Sequence, residues 1–370
     1  MASVSVTDIA RRVGVAQSTV SAALHGRGRV GRECRDRILA TAKALGYEPR
    51  VAAQLLRALR TGQLGVIVAA TDAPHAFLDE IPRLVVGHFV QACLQKDYRY
   101  MIDFHHHAKA AGHFTPPRLV TAKLVDGTIL VGDVGEELRQ WLHHRQTHPW
   151  VSIEEPADHC VLSAAESGVD EAVRMLAGLG HRVFAYAGGP ERYSQHRLGY
   201  QGFRQAVREL GFRGEVVAFP GGLTAERARE VLAWARALMS RSIGGDNPRP
   251  TAFVCHGESI SRAVVHAATE RGLSVPGDLS VTSYGSVGEA TRRYPHLTTI
   301  ENDYTEMTGI AMQMLWKQIA GEAVPTPCVW VKPRLVPGET TGPAPIPGDT
   351  AKENPRHQLE PAQDHCPGDN

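Results

Sequence analysis

The sequence predicts two unlike folds in one chain. The first is an all-α head with a helix-turn-helix and a hinge helix. The second is an α/β body of two lobes, two parallel sheets flanked by helices. Three observations predict this. Apolar residues recur with helical spacing up to residue 48, and then give way to short apolar runs separated by helical stretches. Charge divides at nearly the same place: residues 1–62 hold eleven Lys/Arg against four Asp/Glu, a net +7, and the rest of the chain carries −6. The 370-residue length, at roughly 100–200 residues per domain, leaves a body better filled by two sheets than by one.

Val6, Ile9, Ala10 and Val13 fall on one helical face. Ser5 with Asp8 makes a capping-box start to that helix, and Gly14 ends it. Gln17 to Leu24 forms a second helix with Val20 and Leu24 inward; Gly26, Gly28 and Gly31 mark a loop. Cys34, Ile38, Ala42 and Leu45 stripe a third helix that stops at Gly46. Pro49 then opens a short basic hinge helix. From Leu64 the runs Leu64–Ala70, Thr128–Val131, Trp150–Ile153, Val183–Ala187, Thr251–Cys255 and Ser280–Tyr284 read as parallel strands with crossover helices. The expected organisation is a head over 1–48, a hinge and linker over 49–62, and a two-lobed body over 63–340. The chain is expected to cross between lobes near 155–162 and 285–297. Residues 341–370, rich in Pro, Gly and polar residues, are expected to be a disordered tail.

Composition excludes several classes. The longest apolar stretch, Leu64–Ala70, is far short of the ~20 residues of a membrane helix, so no membrane partner is expected. The N-terminus has no apolar core of the secretory kind, and six cysteines without a CxxC pair fit reduced thiols. The expected location is the cytoplasm. His105-His106-His107 and His143-His144 lack a fixed ligand spacing, so no metal is expected. No GxSxG, HExxH or phosphate-loop pattern occurs, so neither a catalytic residue nor a cofactor is expected. By charge alone the basic head fits either a polyanion partner or a solvated basic face on a small helical domain.

A helix, a turn holding Gly14 and a second short helix, polar outward and braced by a third, is the unit that enters a DNA major groove. The segment TDIARRVGVAQSTVS, then Gly46-Tyr47-Glu48-Pro49, then Ala53-Gln54-Leu55-Leu56, then the two-lobed body, resembles the lactose repressor (LacI/GalR) family of bacterial transcription regulators. Body landmarks are similar too: Val125-Asp126-Gly127, Leu179-Gly180-His181-Arg182, the Gly272–Val281 segment and Pro295–Ile300. The resemblance runs from about residue 5 to residue 341. It implies a periplasmic-binding-protein-like body and a homodimer, sometimes a tetramer. It also implies a near-palindromic double-stranded operator, and a small-molecule effector between the lobes that alters DNA affinity.

The resemblance assigns roles residue by residue. Gln17 and Ser18 open the recognition helix and carry the sequence choice, with Thr19, Ser21, Ala22 and His25 also facing the major groove. Ala22 stands where the family has a guanine-reading Arg, and Ala16 stands where it has the N-cap Ser. Arg11, Arg29, Arg32, Tyr47 and Arg50 are expected at phosphates. Leu56 falls on the leucine the family wedges into the minor groove, and Ala53 is small enough for two hinge helices to approach. Phe77, Arg197, His256 and Tyr284 are expected in the effector cleft. Gly257 and Gly285 replace the family's sugar-gripping carboxylates. With Arg197 and His256 but few carboxylates, the cleft is expected to favour an anionic or less hydroxylated ligand over a neutral sugar.

The leading reading is therefore a repressor of transcription. A periplasmic-type solute-binding protein shares the body, but the head and the lack of a signal segment count against it. An enzyme using the cleft has no acid/base constellation to support it.

Overall fold

The computed structural model describes residues 4–24, 30–47, 60–70, 80–106, 114–145, 147–189, 191, 193–217, 225–243, 246–286 and 295–346. It divides into two compact units, residues 1–61 and 62–370.

The head contains α1 (Val6–Val13), α2 (Gln17–Leu24) and α3 (Arg32–Ala44). Ser5 and Asp8 form a reciprocal capping box: the Asp8 N–H donates to Ser5 Oγ at 3.3 Å, and the Ser5 N–H to Asp8 Oδ2 at 2.9 Å. Gly14 closes α1 in the left-handed conformation, φ 73°, where an L side chain is strained. One fully buried residue from each helix, Ile9, Val20 and Ile38, makes the centre of the core, with Ala10, Ala23 and Ala42 around it. Leu24, expected inward, packs against this core half-buried, and Ala23 beside it is buried. Arg37 Nη2 donates to the Val13 carbonyl at 3.0 Å and pins α3 to the turn after α1.

The body runs β1 (Gln63–Ala70), α4 (Glu80–Gln95), β2 (Arg99–His106), α5 (Arg118–Thr121), β3 (Gly127–Gly132), α6 (Glu136–His143), β4 (Trp150–Ile153), β5 (Cys160–Ser163), α7 (Ala165–Gly178) and β6 (Val183–Ala187). It continues with α8 (Ser194–Glu209), β7 (Arg213–Val217), α9 (Ala225–Met239), β8 (Ala252–Cys255), α10 (Glu258–Glu270), β9 (Ser280–Gly285), β10 (Thr298–Glu301), α11 (Tyr304–Ala320), β11 (Cys328–Val331) and β12 (Arg334–Val336). Two six-stranded sheets result, in the orders β11-β5-β4-β3-β1-β2 and β12-β10-β9-β8-β6-β7. All strand pairs are parallel except β10 with β12. The first sheet is covered on both faces. Leu64, Val66 and Val68 pack with Phe89, Met307 and Leu315, while Ile67, Ala69 and Leu130 pack with Leu119, Leu138 and Leu142. That double burial is why β1 reads as an unbroken apolar run. In the second sheet, Ala185, Phe253 and Val281 pack on α9 and α10, while Phe184, Val254 and Ile300 lie against α7 and α8.

The chain crosses between sheets later than the sequence led us to expect. β5 still belongs to the first sheet, so the first crossing is at 163–165, not 155–162. β10 still belongs to the second, so the chain returns at 301–304, not 285–297. A third crossing lies at 331–334, where β11 leaves the first sheet and β12 joins the second. Of the strands missed at these crossings, β5, β10 and β11 are four residues long and β12 three. The expected tail also starts too early. His181 is fully buried, with Nδ1 2.9 Å from Thr251 Oγ1 and Nε2 3.1 Å from the Gly342 carbonyl. The Ala344 N–H donates to Leu179 O at 2.8 Å, so residues 341–346 are held on the body; 347–370 lie outside the described residues.

Candidate nucleic-acid interface and ligand cleft

Gln17 and Ser18 are exposed on the first turn of α2, and Thr19, Ser21 and Ala22 are half-buried behind them. Gln17 Nε2 donates to Thr7 Oγ1 at 3.0 Å, which spans the α1–α2 turn and holds the amide at the surface. Arg11 is exposed and ion-pairs with Asp8 at 3.6 Å; Arg32 is exposed at the start of α3. Tyr47 is half-buried against the head core. His25, Arg29, Arg50, Ala53, Leu56 and Phe77 lie outside the described residues.

The body holds a cleft, open to solvent, lined from both lobes. Its lining follows from topology, because side chains at the carboxyl ends of parallel strands gather at one edge of each sheet. From the first lobe come Gly132 and Asp133 at the end of β3, and Glu154 and Glu155 just after β4. From the second come His256 and Gly257 after β8, Tyr284 and Gly285 at the end of β9, and Tyr193, Gln195 and His196 at the start of α8.

Three rings form a stack: His256 lies 4.1 Å from both His196 and Tyr284, at 44° and 25°. Gly199 makes room for it, since a Cβ there would stand 2.9 Å from His256 Nδ1 and from the Tyr186 hydroxyl. His256 is 3% exposed; burial, then the neighbouring His196, holds its pKa well below the ordinary imidazole value, so the ring is neutral. Tyr186 O–H lies 3.2 Å from His256 Nδ1 and has no other acceptor among the described residues. Donation to Nδ1 leaves the ring proton on Nε2, which has no partner among the described residues. His196 Nδ1 accepts the Gly189 N–H at 3.1 Å.

Below the rings a hydrogen-bond chain crosses from lobe to lobe. Asn302 Nδ2 donates to Tyr284 Oη at 3.0 Å, Tyr284 O–H to Ser163 Oγ at 3.0 Å, and Ser163 O–H to Glu154 Oε2 at 2.8 Å. Tyr304 O–H donates to Glu154 Oε1 at 3.3 Å. Burial outweighs these donors and pushes the Glu154 carboxyl up to about 7. Glu155 is pushed up to about 8, by burial first and by Glu154 and Asp133 among its neighbours, against the pull of Arg139 and Arg197.

The sequence places the body match over residues 173–341, to the periplasmic binding protein-like domain. The head matches the model of bacterial regulatory proteins, lacI family, over residues 5–50. The chain is 27% identical over 340 residues to the HTH-type transcriptional repressor PurR of Klebsiella pneumoniae (strain 342), covering 90% of this chain and 95% of that one. The chain belongs to the LacI/GalR family. PurR of Photorhabdus laumondii is 25% identical to this LacI/GalR chain over 341 residues, again covering 90% and 95%. Among solved structures, the fold is similar to that of a lac repressor dimer bound to operator and the anti-inducer ONPF. The TM-score is 0.77 at 21% identity, covering 92% of this chain and all of that one.

Of the expected cleft residues, the structure places His256 and Tyr284 in the lining and leaves Arg197 out. Arg197 Nη1 instead donates to the Glu191 carbonyl at 3.1 Å. Its neighbour His196 faces the cleft, since one step along a helix turns a side chain by about 100°. The expectation of an anionic or less hydroxylated ligand rested on Arg197, on His256 and on few carboxylates; His256 stands in the lining, but Arg197 does not and Asp133, Glu154 and Glu155 do. Gly257 and Gly285 have φ of 127° and 154°, a backbone that L side chains rarely adopt, so glycine there has a conformational reason as well. Asp133, Glu154, Glu155 and His196 were missed, although each of the first three follows a strand that the sequence shows; reading one or two residues past each strand would have found them.

Proposed function

We propose that this LacI/GalR protein is a repressor of transcription that binds a near-palindromic operator as a homodimer, with its DNA affinity set by a small molecule in the cleft. The observation that carries this is the head: a net +7 segment whose capped three-helix unit exposes Gln17 and Ser18 at the start of α2. Gln can bond both edges of an adenine, Ser several bases, and the exposed Arg11 and Arg32 can meet phosphates. Self-association is supported by β2, an edge strand that exposes Tyr100, Ile102 and Phe104 on one face; an exposed apolar edge favours pairing. A dimer matches two half-sites related by its own two-fold axis. The relatives named above are repressors, which supports a regulator rather than an enzyme; no described helix is long and apolar enough to span a membrane.

The cleft favours a neutral ligand carrying both donors and acceptors. Gln195 brings an amide donor to the lining from one lobe, and the carboxyl groups of Asp133 and Glu155 bring acceptors from the other. A ligand that satisfies both holds the lobes in one relative position. Selection of bound sequences from a random DNA pool by the full-length protein tests the reading. Enrichment of an inverted repeat is expected; a pool that stays random after several rounds contradicts it.

A further inference from the structure

Cys160 and Cys328 are 168 residues apart in sequence and neighbours in the first sheet. They are register partners on the adjacent parallel strands β5 and β11, with their sulfurs 3.0 Å apart. Neighbouring strands lie about 4.7–4.9 Å apart, inside the Cα separation of about 4.4–6.8 Å that a disulfide requires. Both side chains therefore already face each other at bonding range. The other described cysteines are not so placed: Cys93 and Cys255 are buried in separate cores, and Cys34 belongs to the head.

We infer that Cys160 and Cys328 form a reversible intramolecular disulfide when the protein meets a peroxide. The two sulfurs have different roles. Cys328 is half-buried on the edge strand β11, within reach of a small oxidant, whereas Cys160 is 1% exposed. The Cys328 thiolate attacks the peroxide O–O bond, giving a sulfenic acid and releasing hydroxide or alkoxide, which takes up the thiol proton. Cys160 sulfur then attacks the Cys328 sulfur; the S–O bond breaks, the S–S bond forms and one water leaves. The two cysteines are oxidised and one peroxide is reduced. Burial pushes the Cys160 thiol up to about 12, which leaves little of it as thiolate, so its attack on the Cys328 sulfenic acid is the slow step and rests on the 3.0 Å approach of the two sulfurs.

The position gives the bond a consequence. β5 and β11 run from these cysteines straight to Ser163 and Val331, the last residues before two of the three crossings between lobes. The disulfide ties the edge strand to its neighbour at the start of the two strands that lead into these crossings.

The test is mass spectrometry of the full-length protein after a modest excess of hydrogen peroxide and alkylation of remaining thiols. A non-reduced digest should contain one peptide pair joining Cys160 to Cys328, absent after dithiothreitol. Cys160→Ser should instead leave Cys328 as a sulfenic acid that dimedone traps, and Cys328→Ser should leave Cys160 a thiol. Amide exchange over Cys328–Val331 should slow at least several-fold in the oxidised protein. Alkylation of both cysteines after peroxide, or disulfides only between chains, would overturn the inference. So would Cys328 that dimedone does not trap in Cys160→Ser while the wild type is oxidised.

Discussion

Tyr284 donates a 3.0 Å hydrogen bond to Ser163, so the end of a strand in the second lobe is bonded to the last residue of a strand in the first. Tyr284 also carries one face of the His256 stack and accepts from Asn302 at 3.0 Å. One side chain thus links the cleft's wall to the crossing segments beneath it. Tyr284→Phe keeps the ring and removes the hydroxyl, leaving Asn302 and Ser163 short of a buried partner. We expect a loss of about 1–3 kcal/mol in urea unfolding of the body. An unchanged midpoint would show that the chain of hydrogen bonds contributes nothing net.

Glu154 and Glu155 make stability depend on pH in a definite direction. Their folded values, about 7 and about 8, lie above the ordinary 4.5 that each regains on unfolding. The folded state holds their protons more tightly, so this contribution is full below about pH 4.5 and is lost as pH rises through 7 to 8. Differential scanning calorimetry should show the body less stable at about pH 8.5 than at about pH 6. Glu155→Gln should flatten part of the slope, by on the order of 3 kcal/mol across the window. A slope unaltered in Glu155→Gln would assign the titration to another group.

Ile38 is fully buried between α1 and α2, and its loss leaves a cavity in a core of six buried residues. Ile38→Ala should cost about 2–5 kcal/mol and unfold so small a head. Operator binding should disappear while the body's melting transition stays where it was. Wild-type DNA affinity in Ile38→Ala would mean that the three-helix unit is not what binds.

Gln17 and Ser18 should choose the operator, and Arg11 and Arg32 should only hold it. Gln17→Ala with Ser18→Ala is expected to change the sequence recovered in selection. Arg11→Ala and Arg32→Ala should each weaken all sequences alike and lower the salt slope by about 1. An unchanged consensus in the Gln17/Ser18 double variant would move the readout elsewhere on α2.

The head is legible in the sequence because every cue there is local: Ser5 caps its own helix, Gly14 ends it, and Ile9, Val20 and Ile38 announce themselves by spacing. β1, β4, β6 and β8 are legible because burial on both faces makes them continuous apolar runs. β2 is not, because an edge strand alternates, and Asp103 and His105 interrupt Tyr100, Ile102 and Phe104. The cleft is the least legible part. Its groups come from strand ends far apart in sequence, so His256 and Tyr284 can be named singly while Glu154, Asn302 and Ser163 join them only through the fold. Arg197 shows the limit most plainly, since the residue before it occupies the place that its own charge suggested.

The +7 head is expected to read DNA sequence. Fluorescence anisotropy of the full-length protein on the selected inverted repeat and on a scrambled duplex, between about 50 and 200 mM salt, tests it most directly. The repeat should bind at least about a thousandfold more tightly than the scrambled DNA, and both affinities should fall steeply with salt, as phosphate contacts require. Equal affinity for the two duplexes at physiological salt would contradict the account.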